Sequence, residues 1–176
     1  MIHLRWLVLG VLLLGCGSRA EQGGAAPVQA VDPGGAECAV CGMVVREQPA
    51  PRGQVVHRDG THAFVCSLGD LRAYLQTPGP RGEPVATYVE GLPDGADLHL
   101  LDTDPQPWIP AEDAHYVVGF ARPSVMGLPI GSFASERGAA LAASALSGHQ
   151  ATWDALRSTP FNELPAPLSA GAPGVH

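Results

Sequence analysis

The stretch Phe64–Leu75, "FVCSLGDLRAYL", changes its period in the middle. Up to Cys66 it continues an alternating run from Thr61, with His62, Phe64 and Cys66 on one face and Ala63 and Val65 on the other, as a strand requires. From Ser67 the pattern becomes helical. Ser67 is an N-cap, Asp70 three residues on is its acidic capping-box partner, and Leu68, Leu71 and Leu75 form an apolar stripe. Thr77-Pro78-Gly79 ends the helix. Upstream, Gln54 to Arg58 is a short strand, joined to the next by a hairpin turn at Asp59-Gly60, where glycine tolerates positive φ. Downstream, Val85 to Val89 is another strand. The order is strand, strand, helix, strand.

The order occurs twice. Asp113 to Phe120, with its "YVVGF" core, is strand-like, and Ile130 to Ala134 pairs with it. Ser135 caps an Ala/Leu helix up to Leu146, which Gly148 ends, and His149 to Trp153 is the last strand. "FVCSLGDLRAYL" thus echoes "SFASERGAALAA" at Ser132–Ala143. The expected fold is α+β, two small related ββαβ-like lobes.

The flanks differ in kind. Arg5 and the apolar run Trp6 to Leu14 form a targeting segment too short to span a bilayer. Leu13-Leu14-Gly15-Cys16 looks like a bacterial lipobox, with a plain secretory signal as the alternative. It implies a signal peptide over 1–15 and lipidation of Cys16, with multiple acyl chains anchoring the chain to a membrane. Residues 16–35, rich in Gly, Ala and Pro, form a flexible tether. The domain covers 36–157. Residues 158–176 hold four prolines and little periodicity, and are expected to be a disordered tail.

The chain has 176 residues, 45% of them hydrophobic, a net charge of −7 and no lysine. That length carries one domain or two very small ones. The acidic balance argues against nucleic acid as a partner, because phosphate binding needs clustered cations. No carboxylate pair, Ser-His-Asp set or glycine-rich phosphate loop stands out, so a carrier is expected rather than an enzyme.

Chemistry concentrates in "ECAVCGM", Glu37–Met43. With Cys16 lipidated, three thiols remain: Cys38, Cys41 and Cys66. An odd count in an oxidising compartment leaves at least one free, metal-bound or paired between chains. A structural disulfide is one reading. A redox CxxC is another, but Gly42 followed by Met43-Val44-Val45 is a poor helix opening, and such motifs lower their thiol pKa at a helix N-terminus. Structural zinc needs four ligands, and only one CxxC exists. A soft monovalent metal fits Cys41-Gly42-Met43. Thiolate and thioether both favour Cu(I), and Gly42 lets the backbone turn so that the two sulfurs converge. His57 and His62 are conceivable further ligands, although a solvent-facing position is expected for each.

"CAVCGM" resembles the NosL family, the nitrous oxide reductase accessory proteins. So do "RDGTHAFVCSLGDLRAYL" from Arg58, "HYVVG" from His115, "VMG" at Val125 and "SFAS" at Ser132. The resemblance covers about Ala36 to Leu156. It implies a lipid-anchored Cu(I) carrier facing the periplasm, on the inner or the outer membrane. The carrier would supply copper for the centres of nitrous oxide reductase, together with a membrane ABC-type assembly complex. By position, Cys41 and Met43 match the family's Cys-Gly-Met, Cys38 its CxxC partner and Met126 a Met-Gly loop. Cys66 matches no metal position of the family and is left as a buried thiol or a disulfide partner of Cys38. Competing functions are a periplasmic thiol–disulfide oxidoreductase, a lyase attacking metal–carbon bonds, a general copper-handling lipoprotein and a purely structural lipoprotein.

Overall fold

The computed structural model describes residues 28–122, 128–160 and 163. The signal segment, Cys16, Met126 and most of the tail lie outside the described residues.

The fold is α+β, and the repeat is real in three dimensions. In the first lobe β1 (Gly53–Val56), β2 (His62–Val65), α1 (Leu68–Gln76) and β3 (Ala86–Glu90) follow one another, and β4 (Trp108–Pro110) is added at the edge. In the second, β5 (His115–Val118), β6 (Gly131–Phe133), α2 (Glu136–Leu146) and β7 (His149–Ala151) repeat the order, and α3 (Trp153–Ser158) follows. The sheets run β2-β1-β3-β4 and β6-β5-β7, so the first strand of each lobe is central, and every pairing is antiparallel.

Both major helices start as the sequence dictates. Ser67 Oγ accepts from the Asp70 amide at 3.0 Å, and Ser135 Oγ from the Gly138 amide at 3.0 Å. Each bond satisfies an amide that the first turn leaves unpaired.

Three details depart from the expected pattern. β4 is too short and too proline-bounded to show a strand period; as an edge strand it can carry Pro110. The final strand stops at Ala151, because Thr152 Oγ1 accepts from the Ala155 amide at 3.2 Å and caps α3, so Trp153 belongs to a helix. At the end of α2 it is Ser147, not Gly148, that takes the left-handed conformation, with φ 53°. Gly148 is required for space: a Cβ there would sit 2.9 Å from the Val118 carbonyl oxygen.

Two cores hold the lobes. The first packs α1 onto the four-stranded sheet and takes in Tyr116 and Val118 from β5 and Leu156 from α3. The second places α2 against the other face of β5, at Val117, together with Phe133, Leu92 and Leu98. β5 is therefore buried on both faces. The chain beyond β3 links the sheets directly: the Leu92 amide donates to the Ser132 carbonyl at 2.9 Å, and Ser132 Oγ donates to the Glu90 carbonyl at 2.6 Å.

Both flanks of the domain make contacts. Gln54 exchanges two hydrogen bonds with the Val31 backbone, each 3.1 Å, within the stretch assigned to the tether. At the other end, Arg72 and Gln76 of α1 donate to the Thr159 carbonyl.

Candidate metal centre

The "CAVC" segment is a tight loop on the edge of the first core. An antiparallel bridge between Glu37 and Val44 closes it. Inside, the Cys38 amide donates to the Met43 carbonyl at 2.7 Å and the Gly42 amide to the Cys38 carbonyl at 2.9 Å. Such a reversal needs a left-handed residue, and Gly42 supplies it with φ 77°. The Ala39 amide donates to the Phe64 carbonyl at 2.8 Å and so docks the loop onto β2. Val45, fully buried, plugs the loop into the core. A short 3-10 turn, Val45–Glu47, follows the motif, so neither cysteine sits at the start of an α-helix.

β2 and α1 supply the rest. Cys66 lies between the last residue of β2 and the Ser67 cap, and Asp70 is one helical turn further on. Cys66 precedes the extended Ser67 cap, and the strand-to-helix turn there sets its side chain beside the Asp70 carboxylate, both toward the loop. The Cys66 and Cys41 sulfurs lie 3.3 Å apart. Cys66 Sγ donates to Asp70 Oδ2 at 3.0 Å, and Cys38 Sγ to the same oxygen at 3.6 Å. The Cys66 amide points at Cys38 Sγ, 3.4 Å away. All three cysteines are free. The three sulfurs and the carboxylate all lie within 4.8 Å of one another. Among the described residues no other group of three or more His, Cys, Asp and Glu side chains comes together in this way.

The environment favours neutral thiols at Cys66 and Cys41. Burial pushes the Cys66 thiol far above its ordinary value, and the hydrogen bond to Asp70 adds to this. Burial also raises Cys41, although the Met43 amide acts in the opposite sense by favouring its thiolate. Cys38 and Cys66 are nearly enclosed, while Cys41 is half-exposed. Access from solvent therefore runs past Cys41.

Of the residues singled out in the sequence, the structure gathers Cys38 and Cys41. Met43 leaves the loop with its side chain half-buried against the same core. The histidines are accounted for elsewhere. His57 is not solvent-facing as expected but buried, its Nε2 2.8 Å from the Tyr74 hydroxyl. His62 is half-buried, with Nδ1 2.8 Å from Gln54 Oε1, and is stacked on Phe64. Two members of the cluster are not legible as site residues in the sequence: Cys66 matches no metal position of the family motif, and Asp70 reads as a capping residue. Only the Asp70 amide takes part in the cap, and its carboxylate faces the thiols. Their spacing, Cys-x-x-x-Asp across a strand-to-helix junction, is the signal that places both on one side.

With this arrangement in view, comparison with known proteins is decisive. The NosL family model matches residues 29–159. The chain belongs to the NosL family. The copper-binding lipoprotein NosL of Stutzerimonas stutzeri is 34% identical to it over 141 residues, covering 76% of this chain and 67% of the relative. The crystal structure of the copper chaperone NosL from Shewanella denitrificans matches with a TM-score of 0.63 at 27% identity, covering 77% of this chain and all of that one. The NosL match begins within the stretch assigned to the tether and ends at the residue that Arg72 and Gln76 hold.

Proposed function

We propose that this NosL-family chain is a Cu(I) carrier rather than an enzyme. The observation that carries the reading is the convergence of three free thiols beside a loop that holds Met43. Cu(I) is a soft ion that accepts two or three soft donors, and thiolate with thioether is the set that selects it. Cys41 is the entry ligand because it alone of the three is half-exposed. Cys66 and Cys38 complete a thiolate set, and Met43 is the neutral donor that keeps the ion exchangeable. Asp70 is a hard oxygen donor and a poor Cu(I) ligand, so its role is to hydrogen-bond the thiols when no metal is bound. Met126 is a further candidate from the family's Met-Gly loop.

The family relationship and the lipobox extend the proposal. The chain is anchored through lipidated Cys16, faces the periplasm, and delivers copper for assembly of the nitrous oxide reductase centres with a membrane ABC-type complex. Among the described residues no helix is long and apolar enough to cross a membrane; the proposed anchor is the lipid on Cys16.

The test is anaerobic competition for Cu(I) against a colorimetric chelator. The reduced protein should bind one ion. Cys41→Ser should weaken binding by about 100-fold or more and Met43→Ala by about tenfold, the loss of one soft donor each. Unchanged affinity in both variants would overturn the ligand assignment.

A further inference from the structure

The three thiols are not equivalent toward oxidation. Cys41 Sγ and Cys66 Sγ touch at 3.3 Å, and both are free. A disulfide needs about 2.04 Å, so the bond requires the two sulfurs to approach by about 1.3 Å. Cys38 Sγ also lies within 4.8 Å of the other two and interacts with Cys41, but it is engaged by the Cys66 amide and Asp70 Oδ2. Its own backbone is pinned at both ends, through the Met43 carbonyl and the Gly42 amide. Accessibility separates the remaining two thiols. Cys66 is 5% exposed, whereas Cys41 reaches solvent. An external disulfide can therefore meet Cys41 first, and Cys66 lies directly behind it.

We propose that Cys41 is a thiol–disulfide exchange site, that Cys66 is its resolving partner, and that the Cys41–Cys66 bond switches the metal centre off. The co-reactant is a disulfide of the glutathione or dithiol-carrier class. The Cys41 thiolate attacks one sulfur of it, the external S–S bond breaks, and one thiolate leaves. Cys66 then attacks Cys41 Sγ, the mixed disulfide breaks, and the second thiolate leaves. The two protons lost by Cys41 and Cys66 end on the two departing thiols, and two electrons have passed to the co-reactant. The closed form retains one thiol, Cys38, and no longer offers a thiolate set to a soft ion. The exchange steps stand on geometry alone; the switching step rests on the copper reading above.

The experiment equilibrates the detergent-solubilised full chain, metal-free, in glutathione buffers of graded potential. Free thiols are then alkylated and the products mapped by mass spectrometry. The expected product has Cys41 joined to Cys66 and Cys38 alkylated. Cys38→Ser should still form that bond. Cys66→Ser should instead accumulate glutathione on Cys41, a product that a merely misfolded variant would not give selectively. A Cys38–Cys41 bond, or no intramolecular bond at any potential, would overturn the assignment. Cu(I) competition is then run on both forms, and the oxidised form should bind about 100-fold more weakly or worse. Equal binding by the two forms would overturn the switch and leave the copper reading intact. If neither form binds Cu(I), the copper reading fails while the mapped disulfide stands.

Discussion

At the scale of single residues, Asp70 sets the character of the centre. A carboxylate 3.0 Å from Cys66 Sγ accepts the thiol's hydrogen bond and raises the cost of forming a thiolate beside it. Burial acts the same way and is the larger cause. Cys66 and Cys41 are thus favoured as neutral thiols in the metal-free protein, and metal uptake must expel their protons. Since Cys66 and Cys41 are both shifted upward, protonation competes with copper throughout the neutral range, and apparent Cu(I) affinity should rise with pH. The slope is about tenfold per pH unit for each proton displaced, measured by chelator competition between pH 6 and 8; a flat profile would mean that the ligands are not these thiols. Asp70→Asn removes the neighbouring negative charge and should tighten binding at pH 7 by up to about tenfold, one unit of thiol pKa being worth that factor. Weakening by more than tenfold would show that Asp70 is itself a ligand. Neither role was legible from residue type, because Ser-x-x-Asp ahead of an apolar stripe is also the pattern of a helix cap. The amide and the carboxylate of one residue do different work here.

At the scale of elements, the centre depends on where the "CAVCGM" loop is fixed. Its docking on β2 was not readable from the motif, since the Ala39–Phe64 contact is long-range and made by backbone atoms. The same holds for the anchor behind it. Arg52, fully buried, pairs with Glu90 through both carboxylate oxygens, at 2.7 and 2.8 Å. Its remaining donors reach the carbonyls of Arg46 and Gln48, just beyond the motif, and those of Thr103 and Asp104. One guanidinium therefore ties the segment after Met43 to β3 and to the loop before β4. In sequence, Arg52 and Glu90 look like ordinary surface charges, and only the fold encloses them. Removing one partner strands the other in the interior. Glu90→Ala should therefore destabilise the domain by about 3–5 kcal/mol, read from urea unfolding, and should weaken Cu(I) binding by loosening the loop. A loss below about 1 kcal/mol would show that water reaches Arg52 and that the anchor is dispensable. The capped helices were legible because their signals are local: Ser67 and Ser135 sit where the period changes. β4 and the Thr152 cap were missed because a three-residue edge strand and a six-residue helix carry too few residues to show a period.

At the scale of the whole molecule, the repeat explains where the metal centre is and where it is not. Aligning the two echoing stretches sets Cys66 opposite Ala134 and Asp70 opposite Gly138. The second lobe thus keeps the strand, the serine cap and the helix but has no counterpart of Cys66 or Asp70. Its described residues contribute mechanically. Tyr116 and Val118 enter the first core while Val117 enters the second, so β5 is shared between the lobes. The backbone bonds of Leu92 and the Ser132 hydroxyl add polar ties across the same seam. With a shared strand the lobes should unfold as one unit. The tryptophans report on the first lobe, since Trp108 lies on β4 and Trp153 stacks on Tyr116 and packs against the first core, while far-UV circular dichroism reports on both lobes. Variants Trp108→Phe and Trp153→Phe should each give one urea transition whose fluorescence and far-UV circular dichroism midpoints coincide. Ser132 is fully buried, and Ser132→Ala leaves the Glu90 carbonyl without that donor, at a cost of about 1–3 kcal/mol. Introduced into each variant, it should lower the tryptophan and circular dichroism midpoints together, although Ser132 lies on β6 of the second sheet. If the tryptophan midpoints stayed put while part of the circular dichroism change moved to lower urea, the lobes would be independent, and a change in the second could not reach the thiols of the first.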